Sequence, residues 1–200
     1  MKEILPGVFT WSWPSPEKGY DFNGWYVRPR SEAVIIDPVK CADEETAEME
    51  RRGTPTAILL TNKDHVREAE RFASLFRAPV FIHQADAPLV SIRLGGLFKH
   101  GDDLPGGLEV VRIPDAKTPG ECALLSRSAN ALIVGDALIG HPAGQLNLLP
   151  PEKFADAEKA REGIRILLNY HFEAVLTGDG EPILRGGRKA IESFLLRAGA

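Results

Sequence analysis

Short apolar runs of strand length alternate along this chain with turns rich in glycine and proline. Several runs are dominated by branched residues, as in 33–37 and 57–61, a composition typical of buried strands. We predict strands at 8–13, 23–27, 33–37, 57–61, 80–82, 108–113, 122–125, 131–135 and 173–177. The segment 85–105 is less regular, and Gly95-Gly96 and Gly101-Asp102-Asp103 predict turns within it.

Apolar residues with helical spacing predict helices between and after the strands. In 66–76 they recur every three or four positions and so share one helical face. The other helices are predicted at 43–52, with Asp43 as its N-cap, and at 152–169 and 188–197. Because the strands form two groups, each followed by helices, we expect an α/β fold with two sheets packed face to face and helices outside.

Length and charge narrow the classes of protein that fit. A chain of 200 residues is long enough for one domain, which we place at 1–200. The net charge of -4, with both signs interspersed, speaks against a nucleic-acid partner. We expect no membrane segment, because no apolar stretch is long enough to span a bilayer. The first residues lack the apolar segment of a signal peptide. Cys41 and Cys122 are far apart in sequence, so we expect them to be reduced thiols and the protein to be cytoplasmic.

Polar residues stand where several apolar runs end. Asp37, Asp136 and Asp179 each follow such a run, and the polar segment 61–65 follows another. Loop 115–120 comes after the strand predicted at 108–113. A single Gly-Asp at a strand end is often only a turn, but loops at strand ends are also where α/β proteins place their sites. Several such positions in one chain indicate a site.

These positions also form a series of motifs in chain order. Asp37 is followed by Thr-Asn-Lys-Asp-His at 61–65, Ala-Lys-Thr-Pro-Gly at 116–120, Gly-Asp at 135–136 and Gly-Asp-Gly at 178–180. The series resembles the metallo-β-lactamase superfamily, in which an Asp is followed by Thr-His-x-His-x-Asp-His, Gly-His-Thr-Pro-Gly, Gly-Asp and Gly-His-Gly. The resemblance implies a four-layer αββα sandwich with the scaffold of a hydrolase.

The departures from the family series fall on its metal-binding histidines. Asn62 stands in the place of the first histidine, Lys117 in the place of another, and Asp179 in the place of the last. Asp64 and His65 align in two ways, either as the family's Asp-His pair or with Asp64 replacing the second histidine. Asp136 keeps its position in the series. We therefore expect no standard dinuclear zinc centre.

Lys117 changes the chemistry that such a site supports. An ammonium has three donors and no acceptor, so lysine is a poor metal ligand. We predict that the Lys117 ammonium stands in for the metal and contacts the carboxylates of Asp136, Asp179 and Asp64. The competing interpretation retains at most one divalent ion on Asp64, His65, Asp136 and Asp179, an oxygen-rich set that suits Mg²⁺, Mn²⁺ or Fe²⁺ and could activate water.

Two functions follow from these residues. As a divergent hydrolase of ester, lactone or thioester bonds, the chain would use Asp64, His65, Asp136 and Lys117 as catalytic residues. His65 would then be a general base beside Asp64, although a structural histidine capping the next helix is an equal alternative. As a non-catalytic relative, it would bind a small molecule. The candidate binding residues for either function are Asn62, Asp179, Glu181 and His141.

Overall fold

The computed structural model describes residues 1–29 and 32–197. Twelve strands lie in these ranges and form two sheets. The first sheet contains β1 (Lys2–Leu5), β2 (Val8–Ser15), β3 (Tyr20–Val27), β4 (Ala33–Ile36), β5 (Pro55–Leu60), β6 (Val80–His83) and β7 (Gly96–Phe98). The second contains β8 (Asp103–Leu104), β9 (Leu108–Arg112), β10 (Cys122–Ser126), β11 (Ala131–Val134) and β12 (Ala174–Thr177). Strands β1, β7 and β8 were not predicted; each is short, and β7 and β8 lie in the stretch for which only turns were predicted.

The mode of strand pairing changes once within each sheet, from antiparallel to parallel. In the first sheet, β1 to β4 pair antiparallel in chain order, whereas β4 to β7 pair parallel. In the second sheet, β8 to β11 pair antiparallel and β12 adds parallel to β11. The carboxyl ends of β4 and β5 therefore meet at one edge of the first sheet, and those of β11 and β12 meet at one edge of the second.

Three hydrophobic clusters define four layers. One cluster joins residues of both sheets, among them Trp25, Leu59 and Ile133, so it fills the space between the sheets. A second packs the outer face of the first sheet against residues such as Phe72. A third packs the outer face of the second sheet against residues such as Phe194. This arrangement confirms the predicted αββα sandwich.

The helices are α1 (Asp43–Arg52), α2 (Ala69–Phe76), α3 (Ala157–Gly163) and α4 (Gly187–Leu196). The predicted N-cap of α1 and the predicted start of α2 were wrong. Asp43 is the first residue of α1, and its N-cap is Ala42. Helix α2 begins three residues later than predicted, because a 3-10 turn at Lys63–His65 precedes it. None of the helices in the described ranges is both long and apolar enough to cross a lipid bilayer.

The helix predicted at 152–169 is three separate pieces. A 3-10 turn spans Pro151–Lys153, α3 follows, and a second 3-10 segment spans Ile164–Asn169. Asp156 starts α3 because its side chain accepts hydrogen bonds from the backbone N–H groups of Glu158 and Lys159, both at 3.1 Å. Apolar residues keep a helical spacing from Phe154 through Ala157 and Ile164 to Leu168, so periodicity alone did not reveal the breaks.

Asn23 ties the first sheet to the second. It lies in β3, and its Nδ2 donates to the carbonyl oxygens of Thr177 at 2.9 Å and Gly180 at 2.7 Å. The backbone N–H of Asn23 also donates to the carbonyl of Gly178 at 2.7 Å. The loop after β12 is thereby fixed against β3, and Asp179 lies within that loop.

We expect Asn23→Ala to lower the free energy of unfolding by about 2 to 4 kcal/mol, because two buried carbonyl groups lose their donor. Urea denaturation followed by tryptophan fluorescence measures the change. Asn147→Ala is the matched control, since Asn147 donates a single exposed bond to the carbonyl of His141. Equal losses in the two variants would contradict the role given to Asn23.

Candidate functional site

Loops from both sheets meet at one end of the sandwich. Asp37 follows β4, segment 61–65 follows β5, Asp136 follows β11 and Asp179 follows β12. Each of these strands is buried and apolar, so the polar residues emerge where the sheets end. The topology therefore gathers side chains that lie up to 142 positions apart, from Asp37 to Asp179.

Asp37 fixes the floor of the site. It has a positive φ of 49°, which is uncommon for a residue with a side chain and costs backbone energy. Its Oδ1 accepts the Thr61 N–H at 2.9 Å, and its Oδ2 accepts the Thr61 hydroxyl at 2.6 Å. The same Oδ2 accepts a hydrogen bond from Nδ1 of His65 at 2.8 Å. Asp37 thus sets the orientation of the imidazole.

Asn62 lies beneath the site and does not face the cavity. It is fully buried, and its Oδ1 accepts the backbone N–H groups of Asp64 at 2.8 Å and His65 at 3.1 Å. Its Nδ2 donates to Oε1 of Glu121 at 3.1 Å. Asn62 therefore caps the 3-10 turn that carries Asp64 and His65, and the structure does not bring it to a position where it could touch a ligand.

The two nitrogens of His65 face carboxylates from different sheets. Nδ1 contacts Asp37, and Nε2 lies 3.3 Å from Oδ1 of Asp136. Nε2 also lies 2.9 Å from Nη2 of Arg67, a contact that a neutral imidazole would accept. Burial and Arg67 lower the pKa of His65, but the charges of Asp37 and Asp136 outweigh them and raise it to about 10. The raised pKa favours an imidazolium that donates to both carboxylates, whereas the Arg67 contact requires an unprotonated Nε2. Both ring nitrogens are engaged in either form, so this geometry gives no support to a general-base role beside Asp64.

Lys117 is held between two carboxylates. Its Nζ lies 2.6 Å from Oδ2 of Asp136 and 2.7 Å from Oδ2 of Asp64. Burial lowers the pKa of Lys117, but these two carboxylates outweigh burial and raise it above its ordinary value, so the amine stays charged. Two of the three predicted contacts are present. The predicted contact with Asp179 is absent among the described residues, because Asp179 pairs with a different cation.

That cation is Arg67, which was not among the residues predicted from the sequence. Its Nη2 donates to Oδ1 of Asp179 at 2.8 Å, and its guanidinium lies 4.8 Å from the ring centre of Phe22. Arg67 has a positive φ of 37°, just after the turn that carries His65. No motif marks this residue, and its position two residues after His65 is the only signal that the sequence offered.

The pKa values of the remaining carboxyl groups of the site are shifted in different directions. Burial raises the pKa of Asp136, but His65 and Lys117 outweigh it and lower the pKa well below the ordinary value. Burial also raises the pKa of Asp179, and here Arg67 and His65 do not fully offset it. Glu121, buried beside Asn62, has a pKa raised well above its ordinary value by burial.

A cavity of about 280 Å³ opens onto these side chains. Its lining residues are Lys18, Tyr20, Phe22, Asp64, His65, Arg67, Lys117, Asp136, Leu149, Lys153 and Asp179. Glu181 and His141, the other predicted binding residues, line a neighbouring cavity of about 240 Å³. Tyr20 borders both cavities, and its ring centre lies 5.3 Å from that of His141.

Three residues of the site could hold a metal ion. One ligand atom each from His65, Asp136 and Asp179 lies within 4.8 Å of the others. Asp64 was predicted to belong to this set, but the structure pairs it with lysines instead. Arg67 and Lys117 contact all three ligand residues, so a metal ion would have to take these contacts from them. The donor set suits one ion after Arg67 moves away, and two ions do not fit beside both cations.

The fold and the site together define an αββα sandwich whose cleft carries a His-Asp-Asp group at the strand ends. The sequence model of the metallo-β-lactamase superfamily matches residues 1–196. The chain therefore belongs to the metallo-β-lactamase superfamily.

Solved structures share this fold at low sequence identity. TTHA1623 in a di-iron-bound form is 22% identical with a TM-score of 0.71, and the match covers 88% of this chain and 94% of that one. DIM-1 metallo-β-lactamase exposed to ceftazidime is 14% identical with a TM-score of 0.80, over 98% and 96%. A metallo-β-lactamase from Pontibacter korlensis is 16% identical with a TM-score of 0.79, over 98% of each chain. At these identities the likeness shows the fold alone.

Curated relatives match a shorter stretch. The uncharacterized protein Rv2581c of Mycobacterium tuberculosis (strain ATCC 25618 / H37Rv) is 34% identical over 74 residues, which are 35% of this chain and 33% of that protein. Mb2612c of Mycobacterium bovis matches with the same values. The match spans about a third of the length of these relatives.

The raised pKa of His65 predicts a pH-dependent stability. A group that binds its proton more tightly when folded stabilises the protein fully below its unfolded pKa of 6.5, and this contribution is lost as the pH rises towards about 10. We expect the free energy of unfolding to fall through this window, by up to about 1.4 kcal/mol per pH unit. Urea denaturation at a series of pH values measures the slope.

His65→Gln should flatten that slope, whereas His171→Gln, at an exposed position, should preserve it. A wild-type protein whose stability is constant across the window would show that His65 is neutral.

Proposed function

We propose that this protein binds a small anionic molecule in its cleft, with fixed cationic side chains supplying the positive charge of the site. The observation that carries the proposal is the position of Lys117, whose Nζ lies within 2.7 Å of carboxylate oxygens of both Asp64 and Asp136. In the family that the motifs resemble, a histidine would stand at Lys117 and bind metal. An ammonium there disfavours a second cation close by.

Charge balance in the cluster supports a site without metal. Four basic side chains contact four carboxylates. The basic residues are Lys63, His65, Arg67 and Lys117, and the carboxylates are Asp37, Asp64, Asp136 and Asp179. Buried charges are stable when they are paired and hydrogen-bonded. This cluster meets that condition with its own side chains.

Basic residues that line the cavity support an anionic ligand. Nη1 of Arg67 is buried and has no hydrogen-bond partner among the described residues, although such groups are normally paired. Lys18 and Lys153 line the same cavity, and neither forms an ion pair within the described ranges. An anion in the cavity would accept from Arg67 and gain from both lysines, even though the whole chain carries a net charge of -4.

The ligand proposed here is a small molecule and not a nucleic acid, since the acidic balance of the chain gives no extended basic surface. A cytosolic location is part of the proposal. It is supported by Cys41 and Cys122, which are both free thiols.

A second candidate function is hydrolysis assisted by one metal ion. The group formed by His65, Asp136 and Asp179 favours it, because its ligand atoms lie within 4.8 Å of one another. An ion held there would supply a Lewis acid and an activated water molecule. Arg67 would first have to leave its positions beside His65 and Asp179. Ester, lactone and thioester bonds remain the proposed substrates for this function.

Inorganic phosphate tests the anion site. We expect isothermal titration calorimetry to detect phosphate binding, and Arg67→Met to weaken it about 10- to 100-fold, because a hydrogen bond to a charged group contributes about 1.5 to 3 kcal/mol. Lys117→Met should weaken it as well. Lys159→Met is the control, since Lys159 is an exposed lysine that pairs only with Asp156. A wild-type protein that binds no phosphate would refute the proposal.

Metal content separates the two functions. We expect protein purified without chelator to hold well under one equivalent of zinc, manganese or iron by mass spectrometry. Arg67→Ala should increase the uptake of added Zn²⁺ or Mn²⁺, because it frees His65 and Asp179 as ligands. One full equivalent in the wild-type protein would contradict the metal-free site and favour the hydrolase.

A further inference from the structure

We propose that Asp86 is the positioning residue that holds Lys117 and Asp64 at contact distance. Asp86 is fully buried in the turn after β6, outside every motif of the family series. Its carboxylate accepts three hydrogen bonds. Oδ1 accepts the Gly120 N–H at 2.7 Å, and Oδ2 accepts the Lys63 N–H at 2.8 Å and the Thr118 hydroxyl at 2.7 Å.

These three donors come from two loops that approach from different sheets. Lys63 lies in the loop after β5, directly before Asp64, while Thr118 lies in the loop after β9, directly after Lys117. Each loop is therefore anchored one residue away from the charged side chain that it contributes. One carboxylate spans both anchors, and the distance of 2.7 Å between Lys117 Nζ and Asp64 Oδ2 depends on it.

The local chemistry requires an aspartate at this position. All three partners of Asp86 donate hydrogen bonds, and an ionised carboxylate only accepts them. Every contact therefore pairs a donor with an acceptor. No cationic side chain pairs with Asp86 in the described ranges, so backbone amides and one hydroxyl stabilise its charge. Gly120 permits the close approach, because a Cβ there would come within 2.7 Å of the Asp86 carboxyl carbon.

An asparagine at position 86 would keep the shape but break the matching. One of its two terminal groups is a donor and would face another donor, either Gly120 N–H or the pair formed by Lys63 N–H and the Thr118 hydroxyl. We expect this mismatch to shift the two loops relative to each other. The consequence for ligand affinity rests on the proposed anion site, whereas the coupling between the loops does not.

The experiment compares Asp86→Asn and Thr118→Val with Thr46→Val. Thr46 is the matched control, because it is also buried and its hydroxyl donates at 2.8 Å, but to the Asp43 carbonyl in α1. Backbone amide spectra from ¹⁵N-labelled protein report on the loops, and calorimetry with inorganic phosphate reports on affinity. Asp86→Asn should move the amide signals of both Lys63 and Gly120. Thr118→Val should weaken phosphate binding about tenfold, and Thr46→Val should leave it unchanged.

Each result decides between positioning and mere stabilisation. If Thr118→Val and Thr46→Val lower the melting temperature alike and phosphate affinity stays the same in both, the positioning role is overturned while the anion site stands. If wild-type protein binds no phosphate, the proposed function fails. The amide signals of Lys63 and Gly120 then remain as the test of whether Asp86 couples the two loops. Movement of only one of the two amides in Asp86→Asn would overturn the coupling. If Asp86→Asn does not fold, Thr118→Val gives the same amide test, since its loss should also be felt at Lys63.

Discussion

The imidazole ring of His65 joins the two sheets, because it lies between a carboxylate that follows β4 and one that follows β11. Its Nδ1 is 2.8 Å from Asp37 and its Nε2 is 3.3 Å from Asp136. In a buried site the interactions between charges are far stronger than in water, and a buried charge without a partner destabilises the fold. The loops at this end of the sandwich are therefore constrained to positions in which each buried charged group has a partner.

Other features of the site follow from that constraint. Lys117 links Asp136 to Asp64, and Arg67 contacts both His65 and Asp179. Polar groups support the charges from below. Asn62 caps the turn that carries His65, and Glu121, whose pKa burial raises, accepts a hydrogen bond from Asn62. The strained backbone at Asp37 is held by its bonds to Thr61.

The fold and the chemistry of the cleft depend on different residues. Structures at 14% to 22% identity share the sandwich, which shows that its layers tolerate wide changes in sequence. The chemistry of the cleft depends on a few side chains at strand ends and does not follow from the fold. Lys117 and Arg67 are the two residues on which a metal-dependent and a metal-independent function diverge, since both contact the possible ligand residues.

The sequence by itself determined the sandwich and most of the residues in its cleft. Apolar runs such as 57–61 specify buried strands, and the polar residues that follow them, among them Asp136 and Asp179, must emerge at the sheet ends. Only the tertiary structure decided which charges pair. Arg67 meets Asp179 across 112 positions, and Asp86 meets Gly120 across 34, so no local pattern records either contact. The breaks around α3 were hidden for a related reason. Hydrophobic spacing reports which face is buried, whereas the capping bond of Asp156 and the packing of its neighbours decide where the helix begins and ends.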